Sequence, residues 1–184
     1  MNAGADQALF GDALGCEERL PVEFLPGAVA PPGAAARDLM LLRVLATMED
    51  GAEGERDEGD ARSAEMARVE ARLDLVLALL GALAAARADT LPCASLRWSR
   101  LGARLILPAA PVAPGGVLRV HLDPRLPQPL ELPARLLAAE PQGADWMAWL
   151  RFEALDAALE TAVERHVFRR HRRAIAEVRR AARA

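Results

Sequence analysis

A chain of 184 residues is long enough to bury one core and to carry an insertion, whereas two complete domains would be crowded. Its formal charge of −3 is unevenly spread, because residues 165–183 hold eight Arg and one Glu, a local +7 that leaves −10 for the remainder. Two cysteines, Cys16 and Cys93, exclude a disulfide framework, and the longest apolar run, 75–86, is shorter than the roughly 20 residues that span a bilayer. With no secretory pattern at the N-terminus, we expect a soluble cytoplasmic protein that does not insert into a membrane.

The first predicted elements are one strand and one helix. Residues 1–18 are small and polar without periodicity, whereas 19–25 alternate around Pro21, which suits a strand start or edge. Pro and Gly residues break the chain over 26–33, and residues 34–49 then hold seven large apolar side chains without Gly or Pro. We predict a helix over 34–49, apolar almost all round, that must be covered on several sides by its own domain or by other subunits.

An acidic linker is predicted over residues 50–60. The stretch 49–60 holds seven acidic residues and three glycines and has no large apolar side chain. An EF-hand loop would place acids at fixed alternate positions around a central glycine, with a closing glutamate, and this spacing is absent. A flexible turn between two helices is therefore favoured over a metal-binding loop.

A seven-residue apolar repeat dominates the predicted helix over residues 61–87. Its core residues are separated alternately by three and four positions, like the a and d positions of a coiled coil. They are Met66, Val69, Leu73, Val76, Leu80 and Leu83. Leu77 and Leu79 stand at the flanking e and g positions, which favours more than two helices. We predict an inserted oligomerisation segment over 34–88 that builds a four-helix core in a homotetramer. Packing of this helix on its own domain is the alternative.

Short strands separated by turn residues are predicted in the second half of the chain. Gly102, Pro114–Gly116 and Pro141–Gly143 supply the turns. The predicted strands are 96–98, 103–107, 117–123, 130–140 and 146–152. This spacing indicates a small antiparallel barrel or sandwich, closed by a helix over 155–181, so the predicted fold class is α+β.

Residues suited to catalysis or metal binding are scattered along the chain. His166 and His171 are five apart, outside the i, i+4 spacing of a shared metal site, and His121 is predicted on a strand. The three serines lie outside any nucleophile-elbow sequence. The arginines of 165–183 complement a helix C-terminus, and the acidic remainder disfavours a polyanion. We therefore predict neither an enzyme, nor a metal site, nor a nucleic-acid partner.

Several motifs in a fixed order resemble a PilZ domain. The stretch 96–105 precedes Pro114–Gly116, then Leu130–Leu137, then Leu150–Phe152 and an Arg-rich closing helix. The resemblance covers 19–25 and 92 to about 180, and it implies a six-stranded antiparallel β-barrel with a C-terminal helix, which we predict over 19–33 and 90–184. The segment 34–88 then lies between the first and second strands, as in a tetrameric subgroup of the family that this chain resembles.

The resemblance also implies a cyclic di-GMP site, but its motif is degenerate here. The family's second strand carries Asp/Asn-x-Ser-x-x-Gly, and this chain has Arg97, Ser99 and Gly102 at those positions. Arg97 therefore puts a cation where an acceptor should meet a guanine edge. An Arg-x-x-x-Arg pair before the first strand should clamp phosphates, and only Arg19 is present, after two glutamates.

The expected function follows from these departures. We predict a non-enzymatic signalling adaptor that contacts motility or virulence-type signalling proteins and binds little or no cyclic di-GMP, with no other cofactor. The alternative is a genuine cyclic di-GMP receptor that uses Arg97, Arg100 or Arg104 in an unconventional way.

Overall fold

A closed barrel of six antiparallel strands is the centre of the fold. In a computed structural model we describe residues 2–54, 66, 69, 72, 73, 76, 91–126 and 128–182. The strands are β1 (Gly15–Pro26), β2 (Cys93–Ser99), β3 (Gly102–Leu107), β4 (Gly115–Val120), β5 (Leu130–Gln142) and β6 (Asp145–Phe152). The helices labelled here are α1 (Ala3–Phe10), α2 (Ala34–Gly54) and α3 (Ala157–Ala181).

The long strand β1 closes the barrel because it pairs with two neighbours. Residues 15–21 pair with β2, residues 22–26 pair with β4, and the full order is β1-β2-β3-β6-β5-β4. Pro21, which has no N–H to donate, lies where β1 passes from one neighbour to the other. Closure leaves these strands without an open edge.

Every strand contributes alternate apolar residues to the interior. Fully or almost fully buried side chains include Val22, Leu96, Trp98, Leu105, Leu118, Leu132 and Leu150. This period of two follows from the pleat, which sends successive side chains to opposite faces. The predicted six-stranded α+β fold with a C-terminal helix is therefore confirmed.

Helices α2 and α3 pack on each other and on the barrel. Leu42 and Leu45 of α2 and Val163 and Val167 of α3 are buried in the same core cluster. Asp156 caps α3, since its side chain accepts a hydrogen bond of 2.7 Å from the Leu159 N–H. Both helices are thus fixed relative to the strands.

A buried carboxylate ties α2 to β5. Asp38 is fully buried, accepts from the Glu131 N–H at 2.9 Å and forms an ion pair with Arg37 at 3.1 Å. Burial raises the pKa of Asp38, although the Glu131 N–H and Arg37 oppose this shift. The helix predicted to be apolar almost all round therefore carries a polar anchor on its buried face.

Several sequence-based expectations about the elements and their ends differ from the structure, including the start of β2, which is Cys93 rather than residue 96. Residues 3–10 form α1, and β1 begins at Gly15 rather than at 19. Asn2 caps α1 by accepting a 3.0 Å hydrogen bond from the Ala5 N–H. Only two side chains of α1 are buried, which is too few for a periodic signal in the sequence.

Residues 50–54, predicted as the start of the acidic linker, continue α2. The buried Glu49, held by two arginines of α3, fixes the helix just before them. Strand β4 ends at Val120 rather than at residue 123.

Part of the predicted oligomerisation helix lies within the described residues. Met66, Val69, Leu73 and Val76 are helical, and their side chains are between 45% and 61% exposed in the single chain. Leu80 and Leu83 lie outside the described residues. The helical bundle therefore stays a prediction.

Candidate nucleotide-motif face

The motif residues meet at the β2–β3 hairpin. Ser99 and Gly102 face each other across the two strands, and Arg97 pairs in register with Arg104. Arg19 is exposed on β1, where its register partner is Ser95 rather than Arg97. The structure thus brings Arg97, Ser99 and Gly102 together and leaves Arg19 outside the group.

Ser99 is fully buried, and its hydroxyl is hydrogen-bonded to the backbone of α1. The hydroxyl donates to the carbonyl oxygen of Leu9 at 2.7 Å and accepts from the Leu101 N–H at 3.1 Å. Its capacity to donate is therefore used within the chain.

Gly102 lies where β3, β6 and α1 approach each other closely. A Cβ at this position would overlap the carbonyl oxygen of Leu150 and come within 2.7 Å of Leu9 Cδ2. Glycine is thus required by the packing around the hairpin, independently of any ligand.

We call the surface formed by Arg97, Ser99, Gly102 and Arg104 on the β2–β3 hairpin the nucleotide-motif face, or motif face. The carboxylate of Asp6 lies against its two arginines. Arg104 Nη1 donates to its two oxygens at 3.0 and 3.2 Å, and Arg97 Nη1 approaches one oxygen at 3.4 Å. Trp149 Nε1–H, on β6, donates to the same carboxylate at 2.6 Å. Burial alone would raise the pKa of Asp6, but the Trp149 hydrogen bond and the charges of Arg104 and Arg97 lower it below its usual value.

Apolar contacts complete the docking of α1. Leu9 is fully buried and packs in a small cluster with Ala5 and Trp149. The guanidinium carbon of Arg97 lies 4.3 Å from the ring centroid of Phe10, within cation–π distance. The N-terminal helix, which periodicity did not predict, therefore covers the motif face.

The first residues of β1 include two acids, and the arginine clamp that the resemblance implies is absent there. Residues 1–18 contain no arginine, so the clamp is missing from the sequence itself. Glu18 accepts from Trp98 Nε1 at 2.9 Å and pairs with Arg170 of α3 at 2.6 Å, while Glu17 accepts from Ser95 at 3.1 Å. Glu18 is thus part of the contact between the barrel and α3.

Arg100, the third arginine of the alternative receptor hypothesis, contacts α3 rather than α1. Arg100 pairs with Glu160 of α3 at 2.5 Å and approaches Glu164 at 3.4 Å. Arg97, Arg100 and Arg104 therefore each have an acidic partner from a helix.

Two buried titratable groups, Cys16 on β1 and His166 on α3, lie between the barrel and this helix. Burial is the main cause that raises the pKa of the Cys16 thiol to about 12, and burial with nearby arginines lowers the pKa of His166 to about 3. Both are neutral at ordinary pH, and His166 packs 5.5 Å from Trp98 between ring centroids. They act as core residues in this environment.

Within the described ranges, no three His, Cys, Asp or Glu side chains converge on a point that could hold a metal ion. None of the helices in the same part of the chain is long and apolar enough to cross a membrane.

The chain is similar to known proteins over most of its length. Residues 42–180 match the model of a family described as atypical PilZ domain, cyclic di-GMP receptor. A crystal structure from Xanthomonas campestris, described as a pathogenic protein and a new tetrameric PilZ domain self-assembled via an unusual helical bundle, is 41% identical with a TM-score of 0.80. The match covers 95% of this chain and 97% of that one. The comparison with curated proteins found no match.

Proposed function

The chain belongs to the atypical PilZ domain family, and on this basis we propose that it is a cytoplasmic, non-enzymatic signalling adaptor. It assembles into a tetramer through residues 61–87 and binds little or no cyclic di-GMP. It acts through protein contacts in motility or virulence-type signalling. The observation that carries this proposal is the occupation of the nucleotide-motif face by α1 of the same chain.

Occupation by α1 supports loss of nucleotide binding for steric and electrostatic reasons. The Ser99 hydroxyl donates to the Leu9 carbonyl, and the Asp6 carboxylate pairs with both Arg97 and Arg104 and offsets part of their positive charge. A phosphate approaching this face would meet the negative charge of Asp6. Arg97 would also present a donor to a guanine edge where the family presents an acceptor.

The exposed heptad residues support self-assembly. Four large apolar side chains at helical positions, Met66, Val69, Leu73 and Val76, are each about half exposed in the single chain. Covering such side chains contributes about 1 kcal/mol each, so several layers in several helices can hold an oligomer together. The similar Xanthomonas campestris protein is described as a tetramer assembled through a helical bundle, in agreement with this stoichiometry.

Isothermal titration calorimetry with cyclic di-GMP tests the ligand half of the proposal. We expect no saturable heat at micromolar nucleotide with the parent chain, because α1 fills the motif face. Saturable micromolar binding would contradict the proposal and favour the receptor alternative. Arg104→Ala would then show whether this arginine contributes to the site, and Arg135→Ala, on an exposed part of β5, is the matched control.

A further inference from the structure

The surface beneath α1 has the features of a peptide-binding groove, which we call the α1 groove and define by Arg97, Ser99, Gly102, Arg104 and Trp149. Three contacts distinguish the segment it accepts. The Asp6 carboxylate contacts the two arginines and the indole N–H of Trp149. Leu9, three residues later, is fully buried, and the ring of the next residue, Phe10, lies under the Arg97 guanidinium.

The chemistry of the groove fits a polypeptide better than a small anion. Ser99 donates to a backbone carbonyl, and the leucine subsite is apolar and closed by the strands next to Gly102. Arg97 and Arg104 are register partners on neighbouring strands, where like charges repel, and a carboxylate between them relieves this repulsion. An acidic helical segment with the spacing Asp-x-x-Leu-Phe meets all of these requirements at once.

The occupant seen in the structure is a short element. Helix α1 has eight residues, of which Ala5 and Leu9 are buried, and residues 11–14 connect it to β1. Isolated helices of this length are marginal in water, so α1 depends on the groove for its own order.

We propose that a partner protein docks in the α1 groove through an acidic helical segment and displaces α1 in doing so. The segment carries Asp or Glu, then Leu three residues later and an aromatic residue four residues later, like Asp6, Leu9 and Phe10. This inference deepens the adaptor function and rests on it, since it assigns the surface through which the adaptor contacts a partner. Helix α1 then occupies the groove in the absence of the partner and competes with the partner's segment for it.

A labelled peptide with the sequence of residues 2–12 tests the groove in the full-length chain. The variant Asp6→Lys with Leu9→Asp removes both anchors of α1 and leaves the barrel core unchanged. We expect this variant to bind the peptide at least about tenfold more tightly than the parent, because the competing occupant is gone. Asp12→Lys, which changes an exposed residue just after α1, should bind the peptide like the parent.

Two further variants identify the contacts. Adding Arg104→Glu to the α1-released variant should abolish binding, and a peptide carrying Asn in place of Asp6 should bind the released variant more weakly. Circular dichroism checks that each variant keeps its strands, and Asp6→Asn alone serves as a milder release if the double variant unfolds.

Three results would overturn the inference. They are absence of peptide binding to a folded released variant, binding that Arg104→Glu leaves unchanged, and binding of cyclic di-GMP that the peptide cannot compete away. Sedimentation of the same released variant keeps this test separate from the proposed function. If the released variant sediments as a tetramer but does not bind the peptide, the proposed α1 groove is wrong and the proposed tetramer is unaffected.

Discussion

The Asp6 carboxylate provides the polar contact that joins α1 to three side chains of the barrel. Trp149, Arg104 and Arg97 together favour its charged form and lower its pKa below the ordinary 3.8. A lowered pKa means that the folded chain binds this proton less tightly than the unfolded chain. Its contribution to stability is therefore complete above pH 3.8 and is lost as the pH falls through the lower folded value.

Asp6→Asn should lower the free energy of unfolding by about 1–3 kcal/mol at pH 7, because a neutral amide replaces the charged acceptor of Arg104, Arg97 and Trp149. The difference from the parent should shrink as the pH falls below 3.8. Urea unfolding at a fixed protein concentration, at pH 7 and at acid pH, measures both quantities. Asp12→Asn, an exposed carboxylate next to α1, is the control, and an equal loss in both variants would contradict this role for Asp6.

Ser99 and Gly102 could be located from the sequence because they keep the order and spacing of a family motif. Asp6 and Trp149 could not, since they are far apart in sequence and meet only when α1 packs across β3 and β6. The local signal was the Asn2 cap three residues before Ala5, which a search for apolar periodicity does not detect. The contacts of Glu18 with Trp98 and Arg170 could not be predicted either, because they join residues that are far apart in sequence.

At the scale of elements, the pairing of α2 with α3 depends on a buried acid. The Glu49 side chain is 5% exposed and accepts from Arg169 at 3.0 Å and from Arg173 at 2.7 Å. The acid lies on α2 and both arginines lie on α3, so the ion pairs fix the second half of each helix. Part of the Arg-rich end, read as a complement to the helix dipole, thus holds two helices together.

Glu49→Gln should lower the free energy of unfolding by about 2 kcal/mol, because it replaces a buried charged acceptor of two arginines by a neutral amide. The matched control is Glu153→Gln, which removes the partner of Arg135 in a pair that is about half exposed on both sides. It should cost less than about 1 kcal/mol. Equal losses in urea unfolding would show that burial of Glu49 has no energetic consequence.

The ends of strands were predictable where apolar and polar residues alternate clearly in the sequence. The ends of helices were less predictable where contacts with another element fix them. The core of β6, 146–152, was placed within one residue of its observed start, since alternation is clear there. Helix α2 runs past residue 49 despite the glycines and acids that follow, because Glu49 is held by α3. Local propensity could not reveal that partner.

At the scale of the whole molecule, a closed barrel has helix α2 between its first two strands in the sequence. Strand β1 pairs with both β2 and β4, so the barrel closes without residues 34–90, and α2 packs on its outside. The number of strands followed from the resemblance to the family. The order β1-β2-β3-β6-β5-β4 depends on long-range pairing that spacing alone does not specify. The stoichiometry rests on a heptad pattern whose Leu80 and Leu83 lie outside the described residues.

Sedimentation equilibrium of the parent chain tests the central claim, assembly through the heptad helix, most directly. We expect the mass of a tetramer, and a smaller species for Leu73→Asp with Leu80→Asp, because two charges at a positions disrupt the shared apolar core. Val112→Asp, at an exposed apolar residue away from the heptad, should leave the tetramer intact. A monomeric parent chain at the same concentrations would contradict the account.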